Sequence, residues 1–257
     1  MEEKELPFEY KAVEDEIKSF DIESMKKEVL GTTVMMPGSG EMLALKIILQ
    51  CTDNFVLVCS GVSSVMARGL NIPVVNASKP AAFAKGLARC MKDKKDPKVV
   101  VFADTQAALS ELPELLSMDK DVVYICYNNR MPIQQLARMM HGYAATASIA
   151  FHDDLIRKLK KAYSTDRFSY IEILSPNPSW GYEASNTVHI AKLATECLLW
   201  PVYEIDGALS ITKRIDHEEP VKLFYNALKP KPMEKEIQLI QEEAARNWRQ
   251  LNRDNRS

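Results

Sequence analysis

The sequence predicts an α/β fold in three layers, in which helices cover both faces of a mostly parallel sheet. Between about residue 40 and residue 205, short runs of β-branched residues alternate with segments of helical period. This alternation is typical of parallel strands joined by crossover helices. Several runs are apolar at consecutive positions, as expected of strands buried on both faces. With 257 residues, 46% of them hydrophobic and 26% charged, the chain is long enough to bury such a core.

The predicted strands are short β-branched or aromatic runs, and they cover residues 55–58, 72–75, 98–102, 122–127, 145–150 and 170–174. Between them, apolar residues recur every three to four positions, which predicts helices over 42–51, 80–91, 107–118 with a break near Pro113, 133–140, 153–162 and 185–199. Ser185 stands where the N-cap of the last of these helices is expected.

The chain divides into three predicted parts: a charged amphipathic arm over 1–30, an α/β domain over 31–205 and a helical extension over 206–257. The extension contains a hairpin at Asp206-Gly207, a helix over 220–227 and a final helix that ends at Leu251. An apolar stripe at helical spacing predicts that this final helix docks on this chain or on a partner; it consists of Ile237, Ile240, Ala244, Trp248 and Leu251.

Composition excludes several classes of protein. The five cysteines are scattered, and none forms Cys-x-x-Cys, which argues against a disulfide framework or a zinc knuckle and favours a reducing cytoplasm. A net charge of −2 gives no field that would attract nucleic acid or an anionic membrane surface. The first residues lack the pattern of a signal peptide, and no apolar stretch is long enough to span a bilayer. The four histidines are not paired at metal-ligand spacing.

Two strand ends carry residues that could serve chemistry. Asp104 follows the strand over 98–102, and Asn128 and Asn129 follow the strand over 122–127. Because the carboxyl ends of parallel strands meet at one edge, these oxygens could bind Mg²⁺ there. Asp and Asn are also the usual residues for capping a helix or a turn, and this second interpretation stays open.

A proline-rich loop over 175–182 follows the last predicted parallel strand. Its two prolines and Trp180 make either a rigid binding wall or a stiff, packed connection. Trp180 and Trp248 are candidates for contact with a partner, because aromatic residues are enriched at interfaces. Internal packing of both rings is the alternative.

Three motifs carry a resemblance to a known family: Ala-Thr-Ala-Ser over 145–148, Pro-x-Pro-x-Trp-Gly over 176–181 and Trp-Pro-x-Tyr-Glu over 200–204. In this order, from about Met36 to Leu251, the sequence resembles the β subunit of the pyruvate:ferredoxin oxidoreductase family of 2-oxoacid oxidoreductases. The resemblance implies that 31–205 is a domain of the thiamine-diphosphate-binding type. It also implies an α-type partner subunit that supplies the other wall of the cofactor cleft.

The resemblance further implies a cofactor site that is degraded here. The family binds Mg²⁺ and the diphosphate at a Gly-Asp-Gly strand end and a distant asparagine, whereas this chain reads Ala103-Asp104-Thr105, with a Cβ at every position. Asn129 matches the asparagine. Because the intervening helix looks about one turn shorter, either Asp104 or Thr105 takes the ligand position. The family loop that closes over the cofactor is mostly missing after Arg130.

The family's iron–sulfur cluster is expected to be absent. By the resemblance, its four cysteine positions fall on Met36, Ser39, Val62 and Asn177. Residues of these types cannot hold a cluster that requires thiolates.

Two functions follow from these expectations. The first is a β-type subunit of a 2-oxoacid:acceptor oxidoreductase that helps to form a thiamine diphosphate and Mg²⁺ site but has no cluster of its own. The second is a cofactor-free paralogue that keeps the fold and acts as a structural or regulatory subunit. No catalytic residue is assigned in either case.

Overall fold

The computed structural model describes residues 37–51, 54–67, 70–91, 96–131, 133, 135–215 and 217–255. The amphipathic arm predicted over 1–30 and the position of Met36 lie outside the described residues. None of the helices in the described part of the chain is long and apolar enough to cross a membrane.

The strands run in chain order as β1 Phe55–Cys59, β2 Val74–Asn76, β3 Lys98–Asp104, β4 Val122–Asn128, β5 Tyr143–Ser148, β6 Ser169–Leu174, β7 Tyr203–Asp206 and β8 Ala208–Ile211. Among the described residues they form one sheet in the order β2-β1-β3-β4-β6-β5-β7-β8. β1 to β6 pair in parallel, whereas β7 runs antiparallel to β5 and β8 antiparallel to β7. The predicted mostly parallel sheet is therefore confirmed.

The helices of the described residues are α1 Gly40–Leu49, α2 Val62–Met66, α3 Pro80–Cys90, α4 Thr105–Ser110, α5 Leu112–Leu116, α6 His152–Ser164, α7 Thr187–Glu196, α8 Val221–Asn226 and α9 Glu234–Asp254. The predicted break lies between α4 and α5, with Pro113 in the first turn of α5. Helix α2 was not predicted. Ser185 does not cap α7, because it lies inside a 3₁₀ turn, Ala184–Asn186, and Asn186 holds the cap position.

The helix predicted over 133–140 is wrong for the residues described there, which contain only a 3₁₀ turn, Ala137–Met139. A buried carboxylate on β6 explains why this segment forms a turn. Glu172 Oε2 accepts hydrogen bonds from the backbone N–H groups of Leu136 (2.6 Å) and Ala137 (3.3 Å). These bonds hold the segment in a tight turn at the edge of the sheet.

Side chains of the central strands alternate between two apolar layers. In β3, Val100 and Phe102 belong to one layer, whereas Val99, Val101 and Ala103 belong to the other. α1, α6, α7 and α8 cover the first face, and α3, α4 and α5 cover the second. The sheet is thus buried on both sides, which explains the continuous apolar runs. The final helix α9 docks on this chain, since Ile237, Ala244 and Leu251 are buried.

A buried cluster of charged and polar groups connects α6 to β5 and to the segment that follows β8. The Lys158 side chain is 0% exposed, and its ammonium donates to Asp154 Oδ2 (2.6 Å), Thr146 O (2.8 Å) and Thr212 Oγ1 (2.7 Å). Burial lowers the pKa of Lys158 to about 8, although Asp154 opposes the shift. All three protons of the ammonium have acceptors, as a buried lysine requires.

We expect Lys158→Met to lower the free energy of unfolding by about 3–5 kcal/mol, because the change removes one partner of a buried ion pair and the ammonium donor that Asp154 Oδ2, Thr146 O and Thr212 Oγ1 share. Urea unfolding of the full chain measures it. The matched control is Lys192→Met, which removes an exposed pair with Glu196 (3.4 Å) and should cost less than about 1 kcal/mol. Equal losses in both variants would contradict a stabilising role for the buried cluster.

Candidate functional site

The candidate site lies where three parallel strands end at the same edge of the sheet. In the register of the sheet, Asp104 of β3 stands beside Tyr127 of β4, and Asn128 of β4 stands beside Leu174 of β6. The Ser175 N–H donates to Asn128 O (2.8 Å), which joins the loops that follow β4 and β6. The parallel register therefore brings the predicted site residues to one edge, as expected for open α/β sheets.

Asp104 and Thr105 lie at the start of α4, but their side chains point in different directions. Asp104 is the N-cap of α4, and its Oδ1 accepts from the Ala107 N–H (2.8 Å). Its Oδ2 lies 3.8 Å from the guanidinium of Arg130, which also donates to Gln106 Oε1 (2.5 Å). Thr105 is buried, and its hydroxyl accepts from the Cys126 thiol (3.8 Å). Asp104 keeps one oxygen at the surface, whereas Thr105 faces the interior.

Asn128 is buried and bonded on both sides of its amide. Its nitrogen donates to Glu172 Oε1 (3.4 Å), and its oxygen accepts from the Arg130 N–H (3.4 Å). Glu172 is 0% exposed, and burial raises the pKa of its carboxyl to about 7 against the opposing effect of its hydrogen bonds. The hydrogen bonds of Asn128 and Glu172 therefore join β4, β6 and the turn over 137–139.

Asn129 lies one residue further along and is only partly buried. Its amide nitrogen donates to Glu41 Oε1 (3.2 Å), and its backbone carbonyl accepts from the indole N–H of Trp180 (2.9 Å). Asn177 Nδ2 donates to the same oxygen of Glu41 (2.7 Å). Burial raises the pKa of Glu41, while its hydrogen bonds lower it. Glu41, Asn129 and Asn177 thus form one hydrogen-bonded group of side chains at this edge.

Three of the four positions that the resemblance assigns to lost cluster cysteines lie among the described residues. They carry a hydroxyl, an amide and an aliphatic side chain. Ser39 is buried at the start of α1, Asn177 is bonded to Glu41, and Val62 is 55% exposed at the start of α2. Met36 lies outside the described residues. In the described part of the chain, no three His, Cys, Asp or Glu side chains are grouped to hold a metal ion.

The two tryptophans proposed for partner contact pack inside this chain. Trp180 is 8% exposed, and its ring meets Phe224 edge-on at 6.5 Å. Trp248 is half-buried and contacts both apolar layers. The 3₁₀ turn Pro178–Trp180 directs the Trp180 ring inwards, so internal packing, the alternative stated above, describes both residues.

Sequence reasoning missed three charged residues of this edge: Glu41, Arg130 and Glu172. Glu172 looks like a solvent-facing residue within an apolar strand, and Glu41 looks like an ordinary acid in the first turn of a helix. The sequence does contain one signal that could have pointed to Glu41, namely the two glycines of Gly38-Ser39-Gly40. A Cβ on Gly40 would lie 2.7 Å from Pro176 O, so the glycine allows the start of α1 to approach the loop that carries Asn177.

Chemically, the described residues of this edge offer hard oxygen atoms and the guanidinium of Arg130. Among the described residues, the internal hydrogen bonds of Asp104 and Asn129 leave two side-chain oxygens: Asp104 Oδ2, which lies 3.8 Å from the Arg130 guanidinium, and Asn129 Oδ1. Mg²⁺ prefers such ligands and needs few of them, because it retains several waters. Arg130 supplies a guanidinium that suits the oxygens of a phosphate.

Comparison with known proteins places the chain among subunits of oxidoreductases. It is 30% identical over 193 residues to pyruvate synthase subunit PorB of Methanothermobacter thermautotrophicus, a match that covers 58% of this chain and 67% of that subunit. It is 33% identical over 121 residues to ketoisovalerate oxidoreductase subunit VorB of Pyrococcus furiosus, which covers 47% of this chain and 33% of that subunit.

Among solved structures, a 2-oxoglutarate:ferredoxin oxidoreductase from Magnetococcus marinus matches with 16% identity and a TM-score of 0.49, over 60% of this chain and 68% of that chain. No protein-family model matches the sequence.

We expect Glu172 to make stability depend on pH. Its folded-state pKa of about 7 exceeds the ordinary 4.5, so the folded chain holds a proton that the unfolded chain releases. Stability is therefore lost as pH rises from about 4.5 through 7, by on the order of 3 kcal/mol. Urea unfolding from pH 5 to pH 8 should show this trend in the wild type relative to Glu172→Gln.

The comparison with Glu172→Gln cancels other groups that titrate in the same range, because both chains contain them. Any hydrogen bond that glutamine makes less well adds an offset that does not depend on pH. A stability difference that stays constant from pH 5 to pH 8 would show that Glu172 does not titrate in this range.

Proposed function

Because this chain belongs to the family of β subunits of the 2-oxoacid:ferredoxin oxidoreductases, we propose that it is the β-type subunit of a complex that oxidises a 2-oxoacid of the pyruvate kind. We place the complex in the cytoplasm, in keeping with five cysteines that are all free thiols. The chain would help to form a thiamine diphosphate and Mg²⁺ site together with an α-type partner.

The observation that carries the cofactor proposal is the pair of oxygens on neighbouring strand ends. Asp104 uses Oδ1 to cap α4 and Asn129 uses Nδ2 to bond Glu41. Each therefore has one oxygen for a metal ion, and the residues present fit Mg²⁺ with water as the remaining ligands. Thr105 and Asn128 would support the site from the interior without touching the ion.

Arg130 fits the diphosphate half of the cofactor. Its guanidinium lies at the same edge of the sheet, where it donates a hydrogen bond to Gln106 and lies close to Asp104. A guanidinium presents several donors to phosphate oxygens, and its positive charge offsets part of the diphosphate charge. Arg130 would thus bind and orient the diphosphate, and Asp104 would hold the metal.

When bound, thiamine diphosphate would supply an electron sink for the negative charge that develops on the former 2-oxo carbon when the 2-oxoacid loses carbon dioxide. This chain's own residues would bind and orient the cofactor. Exposed apolar side chains flank the edge: Val62 is 55% exposed and Leu109 is 46% exposed. They fit a cleft that the α-type subunit completes and covers.

We also propose that the chain holds no iron–sulfur cluster of the family type. The described positions offer Ser39, Val62 and Asn177 in place of thiolates, and Asn177 already bonds Glu41. The electrons from the 2-oxoacid would then leave through another subunit.

A cofactor-free subunit is the second candidate, and one observation favours it. The Arg130 guanidinium lies 3.8 Å from Asp104 Oδ2, so Asp104 already has a positively charged neighbour without a metal ion. In that case the fold would serve assembly or regulation of the complex.

We expect Asp104→Asn to weaken Mg²⁺-dependent binding of thiamine diphosphate by about tenfold or more, because it removes the charged ligand. Asparagine is as good an N-cap as aspartate, so α4 should keep its start. The measurement is isothermal titration of thiamine diphosphate with Mg²⁺ into the full chain co-expressed with the α-type subunit of its own source.

The matched control is Asp119→Asn, which changes an exposed aspartate in the loop that precedes β4, at the opposite edge of the sheet, and should bind as the wild type does. Binding that is lost only in Asp104→Asn supports a thiamine diphosphate and Mg²⁺ site at Asp104. A stable heteromer that binds no thiamine diphosphate supports the cofactor-free candidate instead.

We expect anaerobic reconstitution of the full chain with ferrous iron and sulfide to leave it without bound iron, since the described cluster positions lack thiolates. Iron and sulfide analysis after desalting, together with the visible absorption spectrum, measures the result. Stoichiometric iron and sulfide with a charge-transfer band would contradict the absence of a cluster.

A further inference from the structure

Glu41 is a buried carboxylate to which two asparagines from different loops bond at the same atom. It is 1% exposed, and its Oε1 accepts from Asn177 Nδ2 (2.7 Å) and from Asn129 Nδ2 (3.2 Å). Its second oxygen, Oε2, has no hydrogen-bond partner in the described part of the chain. A group so costly to bury needs a reason, and the orientation of the two amides offers one.

The orientation of the Asn177 amide follows from an independent bond. Asn177 Oδ1 accepts from the backbone N–H of Ser179 (2.9 Å), so its nitrogen must face Glu41. An amide nitrogen can only donate, and therefore Glu41 Oε1 acts as an acceptor whether or not Oε2 carries a proton. Facing an acceptor, Asn129 must present its nitrogen as well. Its carbonyl oxygen Oδ1 then points away from Glu41.

The backbone around this bond is held from two further directions. The Gly40 N–H donates to Pro176 O (2.9 Å), which fixes the start of α1 against the loop of Asn177. The indole of Trp180 donates to Asn129 O (2.9 Å), which fixes the main chain of Asn129. Glu41 therefore determines which end of one amide faces outwards, on a residue whose backbone is already in place.

We propose that Glu41 is a positioning residue, which together with Asn177 turns Asn129 Oδ1 outwards as a preformed oxygen ligand for Mg²⁺. The inference rests on the proposed function, because it assigns Asn129 to the metal. It explains why a carboxylate is buried at the start of α1 without touching the metal itself. Its partners in this role are on the loops after β4 and β6.

Two variants at Glu41 separate positioning from a general effect on folding. Glu41→Gln keeps a side-chain oxygen that can accept from both asparagines, whereas Glu41→Met keeps the length and removes the acceptor. We expect Glu41→Met to weaken Mg²⁺-dependent binding of thiamine diphosphate by about 10- to 100-fold, as other losses of ligand-orienting partners do. Glu41→Gln should restore most of the affinity. The titration uses the full chain in complex with its α-type subunit.

A second measurement needs no cofactor. In the full chain labelled with ¹⁵N-asparagine, the side-chain amide signal of Asn129, assigned by its loss in Asn129→Ser, should exchange slowly with solvent. Exchange should become faster in Glu41→Met but stay slow in Glu41→Gln, because only the glutamine preserves the acceptor.

The outcomes distinguish the two proposals. If the wild type binds the cofactor and Glu41→Met binds equally well, the positioning role is wrong and the proposed function stands. If the wild type binds no thiamine diphosphate, the cofactor part of the proposed function fails, and the metal-positioning role fails with it. If the side-chain amide of Asn129 exchanges equally fast in the wild type, Glu41→Met and Glu41→Gln, the proposed orientation of this amide is wrong.

Discussion

The parallel pairing of β3, β4 and β6 is the constraint on which the rest of the structure depends. Parallel strands that pair in this register end at one edge, so Asp104, Asn129 and the loop after Leu174 meet there although they are distant in sequence. Both faces of these strands are covered by helices. A change in register would therefore bury polar side chains and separate the strand ends at the same time.

Two buried carboxylates fix the positions of the loops at this shared edge. Glu172 joins the turn over 137–139 to β4 through Asn128, and Glu41 joins the loops after β4 and β6 through two asparagine amides. Each carboxylate loses hydration on burial, and the hydrogen bonds that it accepts offset that cost only when the donors are correctly placed. The loops are consequently held by directional bonds where apolar packing alone would allow them to shift.

The sequence was sufficient for the layers of the fold but not for the edge. The β-branched runs predicted the parallel strands, because burial on both faces leaves a plain apolar pattern, and the stripe on α9 predicted its docking. The pattern over 133–140 looked helical, since local periodicity does not show that Glu172, far along the chain, accepts from Leu136 and Ala137. The sequence left partner contact and internal packing of Trp180 as alternatives for a similar reason: the acceptor of its indole N–H, Asn129 O, lies on another loop.

The ion pair between Arg130 and Asp104 does not by itself decide between an active and a cofactor-free subunit. The two groups lie 3.8 Å apart, and Arg130 is 54% exposed. Such a pair contributes at most about 1 kcal/mol, because water screens both charges. A divalent cation at Asp104 brings twice the charge, and an incoming diphosphate offers the guanidinium a more strongly charged partner than Asp104. The pair can therefore open at little cost, and the Arg130 guanidinium is then free to bind another anion.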